Sequence, residues 1–150
     1  MFRGTFEHTI DDKGRVSVPA KFRDKLLASN DDRVVITTGF FGVLRCLDVY
    51  THAAWLELEE RLKGRPQFDP DVMRFKQFYL ANAQDCQIDK QGRILVPPTL
   101  RSYAALRRDV NFVGIGENFQ IWDRQVRNGM FGEVEQAFMN NPRLLTDVGI

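Results

Sequence analysis

Two short stretches carry the most chemically pointed spacing in the chain. They are Asp11-x-x-x-Arg15 and Asp89-x-x-x-Arg93, and each brackets a glycine, Gly14 or Gly92. Glycine supplies the positive φ that a tight turn needs. The aspartate can accept turn N–H groups or pair with the arginine, and either fixes the loop. Arginine's planar fork suits bidentate contact with a guanine edge or a phosphate. The aspartate is therefore expected to position and the arginine to contact.

The two stretches belong to an internal repeat. Residues 10–23 read IDDKGRVSVPAKFR, and residues 88–101 read IDKQGRILVPPTLR, an ungapped match at an offset of 78. The likeness continues more weakly. Val34-Val35-Ile36 leads through a glycine-containing turn to Val43-Leu44, and Phe112-Val113-Gly114-Ile115 leads through a second turn to Phe119-Gln120-Ile121-Trp122. Each reads as a hairpin. The 150 residues thus hold two copies of one supersecondary unit, each too small to bury its own apolar face. Packing one copy on the other predicts a mainly β barrel or sandwich with helices and an internal pseudo-two-fold.

Within each unit the elements follow from local chemistry. A strand over residues 5–10 enters the turn at 11–14, and a second strand covers 15–18. Pro19 and Pro97 open short helices, where a missing N–H costs little. Phe22 and Leu26 share one face of the first helix, as do Leu100 and Ala104 in the second. Thr51 is positioned to cap a helix through Lys63 with Trp55, Leu58 and Leu62 as its apolar stripe. Glu57–Arg61 and Glu59–Lys63 are its expected i,i+4 pairs. Asp69 or Asp71 starts a further helix through about Asn82. Asp123 caps a last one toward Met139, which Asn141-Pro142 ends, and the final residues are expected to be loose. The boundaries read as a first unit over 5–52, a helical connector over 53–81, a second unit over 82–125, and a C-terminal helix and tail over 126–150.

The net charge of +1, from 21 Lys+Arg against 20 Asp+Glu, argues against a uniformly basic coat. Its distribution says more. Residues 13–25 carry Lys13, Arg15, Lys21, Arg23 and Lys25 against Asp24 alone. Residues 90–108 carry Lys90, Arg93, Arg101, Arg107 and Arg108 with no acid. The basic residues follow the repeated motif, so the fold should collect them into a positive surface of the kind phosphate backbones favour.

Other chemistry is sparse. Cys46 and Cys86 are too few for a disulfide framework and lack zinc-ligand spacing, so no metal or cofactor is expected. The first residues hold no apolar segment of a secretory signal, and no apolar run approaches the ~18 residues of a membrane span. A cytoplasmic protein is the expectation. His8 and Cys86 occupy equivalent repeat positions, so a Cys–His nucleophilic pair is conceivable if the pseudo-two-fold brings them together. Ordinary strand residues are the expected reading of both. No HExxH, G-x-S-x-G or glycine-rich phosphate cradle is present.

These residues resemble the MraZ family, bacterial transcriptional regulators built from two tandem SpoVT–AbrB-like repeats. The resemblance covers essentially the whole chain: the opening MFRG, the DDKGRVSVPAKFR block, VLRCLDVY, the central FYLANAQDCQIDKQGR and the closing IWD. One departure is Gln91 where the first copy has Lys13, which implies a weaker contact from the second motif. The resemblance implies an AbrB-like swapped-hairpin, or double-split β-barrel, formed within one chain. It implies sequence-specific binding of double-stranded DNA at direct repeats upstream of the protein's own operon, repressing the division and cell wall cluster. It also implies a ring-like homo-oligomer and association with the nucleoid. Arg15 and Arg93 are then the readers. Lys13, Arg3, Lys21, Arg23, Lys90 and Arg101 are candidates for phosphate contact. Asp11, Gly14, Asp89 and Gly92 shape the motifs. A protein-interaction module of the antitoxin-like AbrB type is the alternative.

Overall fold

The computed structural model describes residues 1–149. Its strands are β1 (Phe2–Thr9), β2 (Arg15–Ser17), β3 (Arg33–Phe41), β4 (Leu44–Thr51), β5 (Gln84–Gln87), β6 (Arg93–Leu95), β7 (Asp109–Gly116) and β8 (Phe119–Asp123). The α-helices are α1 (Ala20–Leu27), α2 (His52–Lys63), α3 (Pro70–Phe75), α4 (Pro98–Tyr103), α5 (Arg124–Asn140) and α6 (Leu144–Asp147). A π-helical segment, Lys76–Leu80, continues α3.

The two halves exchange strands. Six strands form one antiparallel sheet in the order β1-β7-β8-β4-β3-β5, and β2 pairs with β6 in a separate two-stranded ribbon. The first strand of each half thus pairs with the hairpin of the other: His8 faces Val110 in β7, and Cys86 faces Val34 in β3. The amide of Ile10 donates to Arg108 O, and that of Ile88 to Asp32 O, both at 2.8 Å. At the centre β4 pairs with β8, setting Leu47 against Ile121 and Val49 against Phe119. The repeat predicts a barrel or sandwich with a pseudo-two-fold, and the exchange of strands makes it the swapped-hairpin barrel that the resemblance implies. Neither half is closed without the other, because each lends strands to its neighbour's sheet.

One core fills the barrel. Val16, Val18, Phe22, Leu26 and Val34 come from the first half, and Ile94, Val96, Leu100, Ala104 and Val110 are their counterparts in the second. Phe22 lies among Phe2, Phe6 and Phe119, with ring centroids 4.9–5.4 Å apart. The other face of the sheet is covered in two places. Trp55 and Leu58 of α2 pack with Tyr79 on Val35, while Val126 and Met130 of α5 pack on Val113, Cys46 and Trp122.

Several local expectations are met. Thr51 Oγ1 accepts the amide of Ala54, Asp69 caps α3, and Asp123 accepts the amide of Val126. Others change. β1 starts at Phe2, three residues before the expected strand. Lys63 bonds to Glu60 at 3.2 Å, an i,i+3 contact, rather than to Glu59. The tail forms α6 rather than remaining irregular through its length. The 69–82 segment is not one regular helix. It ends in the π-helical turn, and the last-turn carbonyls of Phe78 and Tyr79 accept Thr38 and Thr37 hydroxyls at 2.7 and 2.6 Å.

Candidate nucleic-acid interface

Both repeated motifs fold into the same turn. Asp11 Oδ1 accepts the amides of Lys13 at 3.0 Å and Arg15 at 2.9 Å, and its Oδ2 accepts Arg15 Nε at 2.8 Å. Asp89 repeats the set, accepting the amides of Gln91 and Arg93 at 2.8 and 2.9 Å and Arg93 Nε at 3.0 Å. The backbone closes each loop identically, Gly14 N to Asp11 O at 2.9 Å and Gly92 N to Asp89 O at 3.0 Å. Gly14 and Gly92 have φ of +89° and +77°, a region that side-chain-bearing residues rarely adopt. Amide donors, first those of Arg15 and Arg93, hold both aspartate carboxyls below the usual carboxylate range. Both carboxylates therefore stay charged where their arginines are charged.

Each aspartate uses only the Nε of its arginine. Among the described residues the Nη1 and Nη2 groups of Arg15 and Arg93 have no hydrogen-bond partner. The side chains are 39% and 31% exposed, respectively. Each guanidinium is thus tethered on one edge and open on the other, which is the geometry for bidentate donation to an outside acceptor.

The ribbon brings the two arginines together. Its register sets Arg15 opposite Leu95, Val16 opposite Ile94, and Ser17 opposite Arg93. Val16 and Ile94 are buried in the core, so Arg15, Ser17, Arg93 and Leu95 share the outer face. Arg15 and Arg93 are diagonal neighbours on that face, about 7–8 Å apart by strand geometry. Val18 N donates to Gly92 O at 2.9 Å and Val96 N to Gly14 O at 2.8 Å, so each turn is also fastened to the opposite strand.

The other basic candidates separate into groups. Lys13, Lys90 and Lys21 are exposed on the two turns and at the start of α1. Arg23 and Arg101 face inward to the opposing turn. Arg101 Nη1 donates to the carbonyls of Asp11 and Asp12 at 3.1 and 3.5 Å. Arg23 Nη1 donates to Val18 O at 3.2 Å, and its side chain packs against Gly92. Arg3 pairs with Ile115 near the start of β1, six residues before that strand ends, or roughly 20 Å along it. Arg107, which the sequence groups with the basic block, instead forks onto Asp123 at 3.1 and 2.9 Å at the start of α5.

His8 and Cys86 lie on β1 and β5, the two outer strands of the six-stranded sheet, and the fold does not pair them. Burial, with Asp85 adding to it, pushes the Cys86 thiol up to about 11. Among the described residues no cluster of His, Cys, Asp and Glu is placed to hold a metal ion. No helix among them is long and apolar enough to cross a membrane.

The structure adds Ser17, Leu95 and the bracing role of Arg23 and Arg101 to the residues the sequence singles out. The 78-residue offset held the signal for all four. It repeats the arginines unchanged, and it sets serine against leucine at equivalent ribbon positions.

Known proteins match the chain in both halves. Residues 1–78 and 79–143 each match the family model described as "MraZ protein, putative antitoxin-like". The chain is 45% identical over 150 residues, all of both chains, to "Transcriptional regulator MraZ" of Thermoanaerobacter pseudethanolicus. It is 44% identical over 126 residues to the protein of that name from Caldanaerobacter subterraneus, covering 84% of this chain and 83% of the relative. A further relative of the same name, from Desulfitobacterium hafniense, is 38% identical over the full length of both. With a model match in each half and full-length relatives named as transcriptional regulators, the chain belongs to the MraZ family.

Proposed function

We propose that this chain is a transcriptional regulator that binds duplex DNA through the outer face of the β2–β6 ribbon and its two turns. Arg15 and Arg93 read base edges. Lys13, Lys90 and Lys21 contact phosphates, with Arg3, Arg23 and Arg101 as further phosphate candidates. The observation that carries the reading is the pair of identical turns. Each uses an aspartate to hold one edge of an arginine while the Nη edge stays open, and both arginines lie on one exposed ribbon. A two-stranded ribbon has the dimensions to enter the major groove, where arginine forks onto guanine O6 and N7.

The target in this reading is a set of direct repeats upstream of the protein's own operon, with repression of the division and cell wall cluster as the outcome. A ring-like homo-oligomer would present successive ribbons to successive repeats. Localisation to the nucleoid follows from DNA binding.

A gel shift on the DNA just upstream of the gene tests this. Wild type should bind specifically and lose affinity steeply with salt. Arg15→Ala and Arg93→Ala should each remove specific binding with folding unchanged. Wild-type affinity retained in both variants would end the assignment.

A second reading, a protein-interaction module, draws support from α5. From its middle to its end it exposes Phe131, Phe138 and Met139. Recovery of a stoichiometric non-self protein on the intact chain, lost in Phe131→Ser with Phe138→Ser, would favour it.

A further inference from the structure

The outer face of the ribbon is nearly but not fully two-fold symmetric. Arg15 and Arg93 are equivalent, and their turns share the three bonds to the aspartate carboxylate and the backbone closure at the glycine. The remaining outward pair, Ser17 and Leu95, is also equivalent by the 78-residue offset but differs in chemistry. Because the strands run antiparallel, each residue of this pair faces the arginine of the other half. Leu95 stands opposite Arg15, and Ser17 stands opposite Arg93. Directly opposed residues bring their Cβ atoms within about 4.5–5.5 Å.

Leu95 is 54% exposed, an apolar side chain on a face otherwise formed by two arginines and a serine. Its position is defined as well as its exposure. Leu95 Cδ1 lies 3.6 Å from where a Cβ on Gly14 would stand, so the side chain rests on the turn that holds Arg15. A group reaching the open edge of Arg15 therefore meets Leu95 beside it. At the other end of the ribbon, the same group beside Arg93 meets a hydroxyl.

We propose that Leu95 is a specificity-determining residue that packs on the C5-methyl of a thymine next to the base read by Arg15, whereas Ser17 beside Arg93 makes no such demand. The inference rests on the DNA-binding reading above and gives it a direction. In the major groove the thymine methyl is the one apolar feature, and aliphatic side chains discriminate by touching it. Serine bonds to any base. The two ends of the ribbon thus read different base neighbours, and a duplex site related by two-fold symmetry does not match both.

The test uses the full chain and the best-bound duplex selected from a random-sequence pool by wild type. Each thymine in that duplex is replaced singly by deoxyuridine, which removes only the methyl. Wild type should lose about fourfold in affinity at one position, the effect of losing a single buried methyl. Leu95→Ser should bind the unmodified duplex about fourfold more weakly and show no further loss at that position. Ser17→Leu should acquire a new methyl-sensitive position on the Arg93 side when selection is repeated. A selected site without thymine, a wild type indifferent to every replacement, or a Leu95→Ser variant that keeps the sensitivity overturns the proposal while leaving DNA recognition standing. A wild type that selects no sequence from the pool overturns DNA recognition and the proposal together. Leu95 is exposed, so its replacement should leave the fold intact, and Leu95→Ala, which should lose the same sensitivity, decides the matter if Leu95→Ser misfolds.

Discussion

The carbonyl of Asp11 accepts Nη1 of Arg101 at 3.1 Å, across ninety residues of sequence. The contact makes the first turn depend on the second half of the chain. Asp11 in turn holds the amides of Lys13 and Arg15, so Arg101 stands one step behind the geometry of Arg15. Arg23 takes the corresponding place against Gly92 of the second turn.

Replacing Arg101 with methionine keeps the aliphatic stem and deletes the donors. The loss should amount to about 1.5–3 kcal/mol, the range for a hydrogen bond involving a charged group. It should be local. In the DNA-free protein, amide exchange at Lys13 and Arg15 should accelerate while that at Gln91 and Arg93 holds. Uniform acceleration across both turns would assign Arg101 to global stability instead.

The two turn glycines should differ in tolerance. Both have positive φ, so alanine is strained at either, by about 1–2 kcal/mol. Their surroundings then diverge. A Cβ at Gly14 would stand 2.9 Å from Val96 O, a backbone atom fixed by the ribbon. At Gly92 the near atoms belong to the Arg23 side chain, which can swing away. Gly14→Ala should therefore destabilise more than Gly92→Ala in urea unfolding, by roughly a further kcal/mol or more. Equal midpoints would mean that the ribbon backbone yields as easily as a side chain.

Acid should open the turns before it unfolds the barrel. Amide donors hold Asp11 and Asp89 below the usual carboxylate range, so both are lowered relative to the unfolded chain. The stabilisation from a lowered carboxylate is present above the ordinary value near ~3.9 and disappears as pH falls through the lowered one. The Arg15 and Arg93 amide resonances should shift together in that acid range, and Asp11→Asn should abolish the shift at Arg15 alone. Flat resonances through the range would show that the carboxylates do not hold the turns.

The sequence displays the turns and the repeat openly, because Gly14, Gly92 and the flanking Asp and Arg are short-range requirements. The exchange of strands is not visible there. Val34, Val35 and Ile36 read as buried whether they pair within their own half or with β5 of the other. Arg23 and Arg101 show a related difficulty. A basic residue on a short helix looks solvated until the opposing turn is placed against it. The weaker contact expected of the second motif also needs the whole turn. Asp12 sits beside Lys13 in the first loop, whereas Lys90 takes the place of Asp12 in the second. The π-helical segment was hidden for a third reason. Helical periodicity runs through residues 76–80, and the Thr37 and Thr38 hydroxyls that bond to its last-turn carbonyls lie on β3, far away in sequence.

The connector is tied to both halves by a polar network around Asp48, and Tyr79 is its keystone. Tyr79 Oη donates to Asp48 Oδ2 at 2.5 Å and shares a 2.6 Å bond with Tyr50 Oη. Gln120 of the second half donates to Asp48 Oδ1 at 2.9 Å. Burial raises the Asp48 carboxyl above the usual range even though these donors oppose it. A raised carboxyl stabilises most while protonated, so its contribution falls as pH climbs from the ordinary range through the raised value. Tyr79→Phe removes one of the two side-chain donors and leaves the Tyr50 hydroxyl without this partner. It should cost about 1–3 kcal/mol in urea unfolding near neutral pH. With less support for the charged form, Asp48 should titrate higher still. The stability of the variant relative to wild type should therefore be worse at pH 8 than at pH 5. A deficit independent of pH would mean that Tyr79 acts through packing on Trp55 and Phe75 rather than through the carboxylate.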